Sequence, residues 1–367
     1  MADPRVTKLA EILVGYSVEV QPEDWVLING HVLALPLVQE VARQVIQVGA
    51  HPTILLHTDE LNEIVLREAS DSQLQWISPS EQITYDQVDV IMSIRAASNT
   101  RSLTSIDPRR TQMAQNARRP LQEKIRQRSA AGSLRWVGTQ YPCPAYAQDA
   151  DMSLSEYEDF VYAATFADQP DPVSCWQDVH CTQQRLVDWL KGKREVVVRG
   201  PHIEMTLSIE GRTFINSDGK KNMPSGEIFT GPVEESVNGW VHFTYPAIRG
   251  GREVDGVEFE FKDGKIVQAR ARKGEAYLLS QLDSDAGARY LGEFAVGTNY
   301  GINRFTKSIL YDEKIGGTLH MAVGAGYPET GSVNESSVHW DFICDMRQES
   351  EILVDGDLFY KDGQFQV

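Results

Sequence analysis

Residues 257–271 read VEFEFKDGKIVQARA, and this stretch decides what fold the second half of the chain can adopt. Apolar and polar side chains alternate on both sides of Asp263-Gly264, a dipeptide suited to a hairpin turn that needs positive φ. Two arms joined by so short a turn lie antiparallel. The same character extends outward. EVVVRG (195–200), IEMTLSIEG (203–211), WVHFTYPAI (240–248) and EILVDGDLFYKDGQFQV (351–367) read as strands of alternating or β-branched type, with a further turn at Asp362-Gly363. One helix is expected to interrupt them at GEAYLLSQLDSDAGARYL (274–291).

Towards the N-terminus the character changes near residue 194. Strand-like and helix-like segments alternate there, beginning with WVLING (25–30), which closes on a glycine. A helix follows from near Pro36. Its stripe of Leu37, Val38, Val41, Ala42, Val45 and Ile46 ends at Gly49, where a C-terminal cap belongs. TILLHT (53–58), VDVIMSI (88–94) and LRWVGTQ (134–140) are the next strands, giving the βαβ order of an open parallel sheet. Helices are expected at LSEYEDFVYAATFA (154–167) and CTQQRLVDWLKGK (181–193), with ADQPDPVS breaking the pattern between them at Pro170 and Pro172. The expected division is a parallel α/β domain with a helical extension over residues 1–193, then a strand-rich, largely antiparallel domain over 194–367. No G-x-G-x-x-G or Walker glycine loop follows any strand.

The 367 residues, 41% hydrophobic and 24% charged, hold enough apolar material for more than one core. A formal net charge of −17 repels a nucleic-acid backbone or an anionic membrane. No apolar run is long enough to span a bilayer, and the first residues lack the pattern of a signal peptide. Four cysteines, none in a C-x-x-C pair, are too sparse for a disulfide framework and fit a reduced, cytoplasmic setting.

Chemistry concentrates in four glycine-rich segments of the second half. PSGEIFTGPVEESVNG (224–239) carries Glu227, YLGEFAVGTN (290–299) carries Glu293, GGTLHMAVGAGYPETG (316–331) carries His320 and Tyr327, and SSVHWDF (336–342) carries His339 and Asp341. Taken singly, each has a plain structural explanation as a turn, a core histidine or a packed tyrosine. His339 and Asp341, two apart on a strand, project to one face and can reach one point, while Trp340 packs behind. Two imidazoles and three carboxylates suit zinc, cobalt or manganese. Five protein donors exceed what one catalytic zinc takes, so two divalent ions sharing a bridging carboxylate fit better. Such a pair lowers the pKa of bound water towards about 7 and makes a nucleophile for hydrolysis. Tyr327 would then hydrogen-bond the oxyanion that forms.

These segments, with PAIRGGREVDGVEFEFKDGK, GARYLGEFAVGTN, NRFTKSILYDEKIGGTLHMAVGAGYPETG and NESSVHWDFICDM, resemble peptidase family M29, the thermophilic aminopeptidases. The resemblance implies two divalent metals on Glu227, Glu293, His320, His339 and Asp341, a catalytic Tyr327, peptide substrates shortened from their N-termini, and a cytosolic homodimer of two-domain subunits. Asp341 is the expected bridging ligand, and Glu234 and Glu329 are open as proton-transfer residues. Two other readings stand beside it. One is a single-iron, ring-cleaving dioxygenase of the dihydroxypyridine type, which a facial triad would serve. The other is a binding or assembly protein that retains the scaffold without turnover.

Overall fold

The computed structural model describes residues 3–367, which form two compact units. The first comprises residues up to Cys175 together with Gly219–Pro224, and the second comprises Trp176–Asp218 with Ser225–Val367. The change from helix–strand alternation to strands lies near residue 194, but the units divide earlier, inside the helix Pro172–Leu190. Leu186, Val187 and Leu190 of that helix belong to the apolar core of the second unit. Pro172 does not merely interrupt helical structure. It opens this helix, where its missing N–H costs nothing, and the Asp171 carboxylate accepts from Ser174 N–H at 3.0 Å.

In the first unit β1 (Trp25–His31), β2 (His51–His57), β3 (Val90–Arg95) and β4 (Arg135–Gln140) are parallel in the order β2-β1-β3-β4. A two-residue strand, Asn222–Met223, adds to β4. The helix between β1 and β2 spans Leu35–Val48 and buries Leu37, Val38, Val41, Ala42 and Val45. Gly49 closes it at φ 91°, as its position past the apolar stripe predicts.

The second unit holds two antiparallel sheets. The larger uses β5 (Glu195–Gly200), β6 (Ile203–Ser208), β10 (Asn238–His242), β11 (Ala247–Arg249), β12 (Arg252–Lys262), β13 (Lys265–Lys273), β17 (Glu351–Val354), β18 (Asp357–Lys361) and β19 (Gln364–Phe365). The opening hairpin is β12–β13, turning at Asp263 (φ 49°) and Gly264 (φ 80°). The smaller sheet runs β16 (His339–Asp345), β15 (Thr318–Gly324), β14 (Leu291–Gly297), β9 (Glu227–Thr230), β7 (Ile215–Ser217). The architecture is the one expected, a parallel α/β unit followed by antiparallel strands. The interrupting helix is shorter than its sequence window, Glu275–Leu282.

Side chains alternate across the smaller sheet. One face carries Ile228, Phe294, Val296, Leu319, Met321, Val323, Trp340 and Phe342 into an apolar core shared with the larger sheet. Phe342, fully buried, lies 5.2 Å from the Phe243 and Phe259 rings and 4.8 Å from Trp340, between centroids. Phe342→Ala should therefore destabilise this unit by about 3–5 kcal/mol. The check is the urea midpoint of unfolding, which should fall without a change in slope.

Candidate metal centre

The other face of the smaller sheet gathers all the candidate donors. Cross-strand register sets Gly297 opposite Glu227, Ala295 opposite His320, and Ala322 opposite both Glu293 and Asp341, with Gly324 opposite His339. Directly opposed residues share a face, so four strands aim five functional side chains to one side. Ala295 and Ala322 put only methyl groups among them, and Gly297 has no side chain, which lets the Ile315 carbonyl pack against that strand.

His320 Nε2 is 3.2 Å from Glu227 Oε2 and 3.6 Å from Glu293 Oε1. His339 Nε2 is 3.3 Å from Glu293 Oε2 and 3.6 Å from Asp341 Oδ1. Glu293 thus turns one oxygen towards each imidazole. Three sets of ligand atoms are close enough to hold an ion: Glu227, Glu293 and His320; Glu293, His339 and Asp341; and Glu313, His320 and Asp341. Asp341, the expected bridge, belongs to two of these sets, and so does Glu293. Tyr327 stands at the rim, 38% exposed, with its hydroxyl 3.5 Å from His339 Nε2.

The loops that deliver these strands are tied down by polar contacts. His339 Nδ1 bonds the Ala325 carbonyl at 2.8 Å, which places a proton on Nδ1 and turns Nε2 towards the carboxylates. Phe229 packs 5.4 Å from the Tyr327 ring. The Glu234 carboxylate accepts from Val333 N–H at 2.8 Å and Ser332 Oγ–H at 3.1 Å, and pairs with Arg212. It anchors the loop that carries Tyr327, while Glu329 is exposed in that loop. Asp285 anchors the approach to β16, accepting from Ser337 N–H at 2.8 Å and from the Ser336 and Ser337 hydroxyls.

Burial and crowding set the electrostatics. Burial raises a carboxyl pKa, yet the two imidazoles hold Glu293 down at about 2. At Asp341 burial prevails over His339 and the pKa is raised. Burial works to lower His339, but Asp341 and Glu293 push it up to about 10, and their counterparts raise His320 well above its ordinary value. Burial first, then the surrounding carboxylates, raises Tyr327, so its phenol keeps its proton at any ordinary pH.

The residues fit divalent cations. Their carboxylate oxygens and imidazole nitrogens converge in three overlapping sets, and a mixed oxygen and nitrogen donor set is what zinc, cobalt or manganese binds. Missing from the sequence reading are Glu313 and Lys314. Lys314 is fully buried with Nζ 3.6 Å from Glu227 Oε1 and bonded to Glu313 Oε1. The signal was present as a charged run, Asp312-Glu313-Lys314, one residue ahead of the glycines that lead into the apolar strand of His320.

Residues 2–365 match the family described as thermophilic metalloprotease (M29). The chain belongs to that family. The motif strings that resembled it are thus part of a match over nearly the whole length. Similar proteins include aminopeptidase 2 of Geobacillus stearothermophilus, 28% identical over 99% of this chain and 95% of the relative. Aminopeptidase T of Thermus thermophilus is 26% identical over 97% and 95%, and aminopeptidase AmpS of Bacillus subtilis is 24% identical over 92% of each. The solved structure of wild-type AmpT from Thermus thermophilus superposes with a TM-score of 0.86 at 22% identity, covering 99% of both chains, and shows the same fold.

The Asp285 anchor yields a pH prediction. Burial tends to raise its carboxyl, but the Ser337 and Ser336 donors hold it at about 2, below the ordinary 3.8. The unfolded chain therefore binds this proton first as pH falls. The stabilisation is full above about pH 4 and is lost as pH drops through about 2. Asp285→Asn should cost about 1–2 kcal/mol at neutral pH. Thermal melts of the two proteins should converge between pH 4 and pH 2.

Proposed function

We propose that this metalloaminopeptidase removes residues from the N-termini of peptides at a centre of two divalent ions held by Glu227, Glu293, His320, His339 and Asp341. Membership of the metalloprotease family and similarity to relatives named aminopeptidases support the class of reaction. One observation carries the finer reading: five donors from four strands converge on one sheet face, close enough for overlapping sets of them to hold an ion.

Zinc, cobalt or manganese bound there would supply Lewis acidity and lower the pKa of a coordinated water towards about 7. Glu293, with an oxygen towards each histidine, and Asp341, which belongs to two of the donor sets, would each help to hold the ions. His339 is held with Nε2 inward by the Ala325 carbonyl. Tyr327, protonated and partly open to solvent, can donate its O–H to the scissile carbonyl oxygen as negative charge develops there. The carboxylate excess around the donors favours a substrate that brings a cationic α-amino group. Glu234 is engaged as a loop anchor, which argues against a proton-transfer role for it. The presence of both Glu227 and Glu293 beside two histidines exceeds the facial triad of a single-iron dioxygenase.

A homodimer is part of this reading. At the free edge of the first unit's sheet β2 exposes Ile54, Leu55 and Leu56, and the helix Asp59–Glu68 that follows it exposes Leu61, Ile64 and Val65 on one side. Such an edge invites cover by a second copy, and mass in solution by light scattering tests it. Among the described residues no helix is long and apolar enough to cross a membrane. A cytoplasmic location stays part of the proposal, on the sparse cysteines.

The test is incubation of metal-loaded protein with short peptides and leucine p-nitroanilide. Residues should appear one at a time from the N-terminus, and chelator or Glu293→Ala should abolish release. Tyr327→Phe should lower kcat by about 10²–10³ with metal content unchanged. Cleavage of N-acetylated peptides at the same rate, or oxygen uptake with a dihydroxypyridine, would sink the proposal.

A further inference from the structure

Lys314 sits where a lysine is least expected. Its side chain is fully buried, and its two close partners are carboxylates of the acidic centre, Glu313 and Glu227. Four carboxylates, Glu227, Glu293, Glu313 and Asp341, fall within the overlapping donor sets, so their mutual repulsion needs compensation whenever no ion is present.

The backbone around Lys314 is built to hold it there. Asn299, 3% exposed, donates its N–H to the Lys314 carbonyl at 3.1 Å and accepts from Gly316 N–H at 3.0 Å. Its side-chain amide donates to the Ser225 carbonyl at 2.9 Å, two residues before Glu227. One asparagine therefore joins the segment that carries Lys314 to the segment that carries Glu227. Gly226, at φ 116°, permits this approach, since a Cβ there would lie 2.6 Å from Asn299 Cβ. Asp312 fixes the same segment from the other side by accepting from the Thr306 N–H at 2.7 Å and hydroxyl at 2.8 Å.

We propose that Lys314 is a resident cation of the acidic centre, a positioning residue that keeps Glu227 and Glu313 converged while no divalent ion is bound, so that the centre is assembled before it is loaded. The inference rests on the reading that this centre takes divalent cations. Its particular content is that one fixed ammonium and the exchangeable ions share the work of neutralising the same carboxylates. Removal of the ammonium then matters most when the ions are absent.

The experiment compares wild type, Lys314→Met and the double variant Glu313→Gln/Lys314→Met, each treated with chelator or saturated with zinc. Chelator-treated Lys314→Met should melt about 5–10 °C below wild type, as expected when one partner of a buried pair is removed. Zinc should reduce that gap by more than half. The double variant, which removes both charges of the pair, should recover most of the chelator-treated loss. If Lys314→Met fails to fold without zinc while the double variant folds, the proposal is supported. Equal losses with and without zinc, or a double variant no better than the single one, would overturn it. Zinc retained after dialysis, counted per chain, reports separately on the parent reading. A wild type that retains none removes the dinuclear centre, and the chelator-treated comparison of single and double variants then decides the part of Lys314 alone.

Discussion

Like charges crowded on one face of a sheet are the constraint around which the second unit is organised. Glu227, Glu293 and Asp341 project from three strands to one side, Glu313 joins them from a turn, and two histidines and one lysine stand between them. Carboxylates so placed are held by those cationic neighbours and by a rigid backbone that denies them the freedom to separate. That rigidity comes from the other face, where Phe294, Met321, Trp340 and Phe342 are locked in an apolar core. The period-2 alternation of a strand makes both faces possible at once, with packing behind and chemistry in front.

The sheet alone does not finish the centre. Each arm that reaches it is held by a polar contact made some distance along the chain: Asp285 on the approach to β16, Glu234 on the Tyr327 loop, the Ala325 carbonyl on the His339 ring, and Asn299 between the Glu227 and Lys314 segments. These contacts act on position and ring orientation, and they explain why turns between strands carry so many serine, asparagine and aspartate side chains here.

Much of this is legible in the sequence. Alternation around Asp263-Gly264 and at His339 and Asp341 speaks directly about faces, because a strand's geometry leaves a side chain only two directions. The stripe from Leu37 to Val45 spoke as clearly for a helix capped at Gly49. Two things were hidden. Pro172 reads as a break from the sequence, since proline both ends and begins helices and only the Asp171 cap distinguishes the cases. Glu313 and Lys314 lie in no periodic element, so nothing local says where they aim; a long-range bracket through Asn299 decides it. The register that brings Ala322 between Glu293 and Asp341 also depends on an irregularity at Leu291/Glu293 that no pattern announced.

Gly297 has a further consequence. A Cβ there would lie 2.2 Å from the Ile315 carbonyl oxygen, so its missing side chain is what lets the Lys314–Ile315 backbone lie against β14. A branched residue at that one position would push this backbone off the sheet and draw the Lys314 ammonium away from Glu227. The least reactive position on this face thus governs where its one lysine can stand.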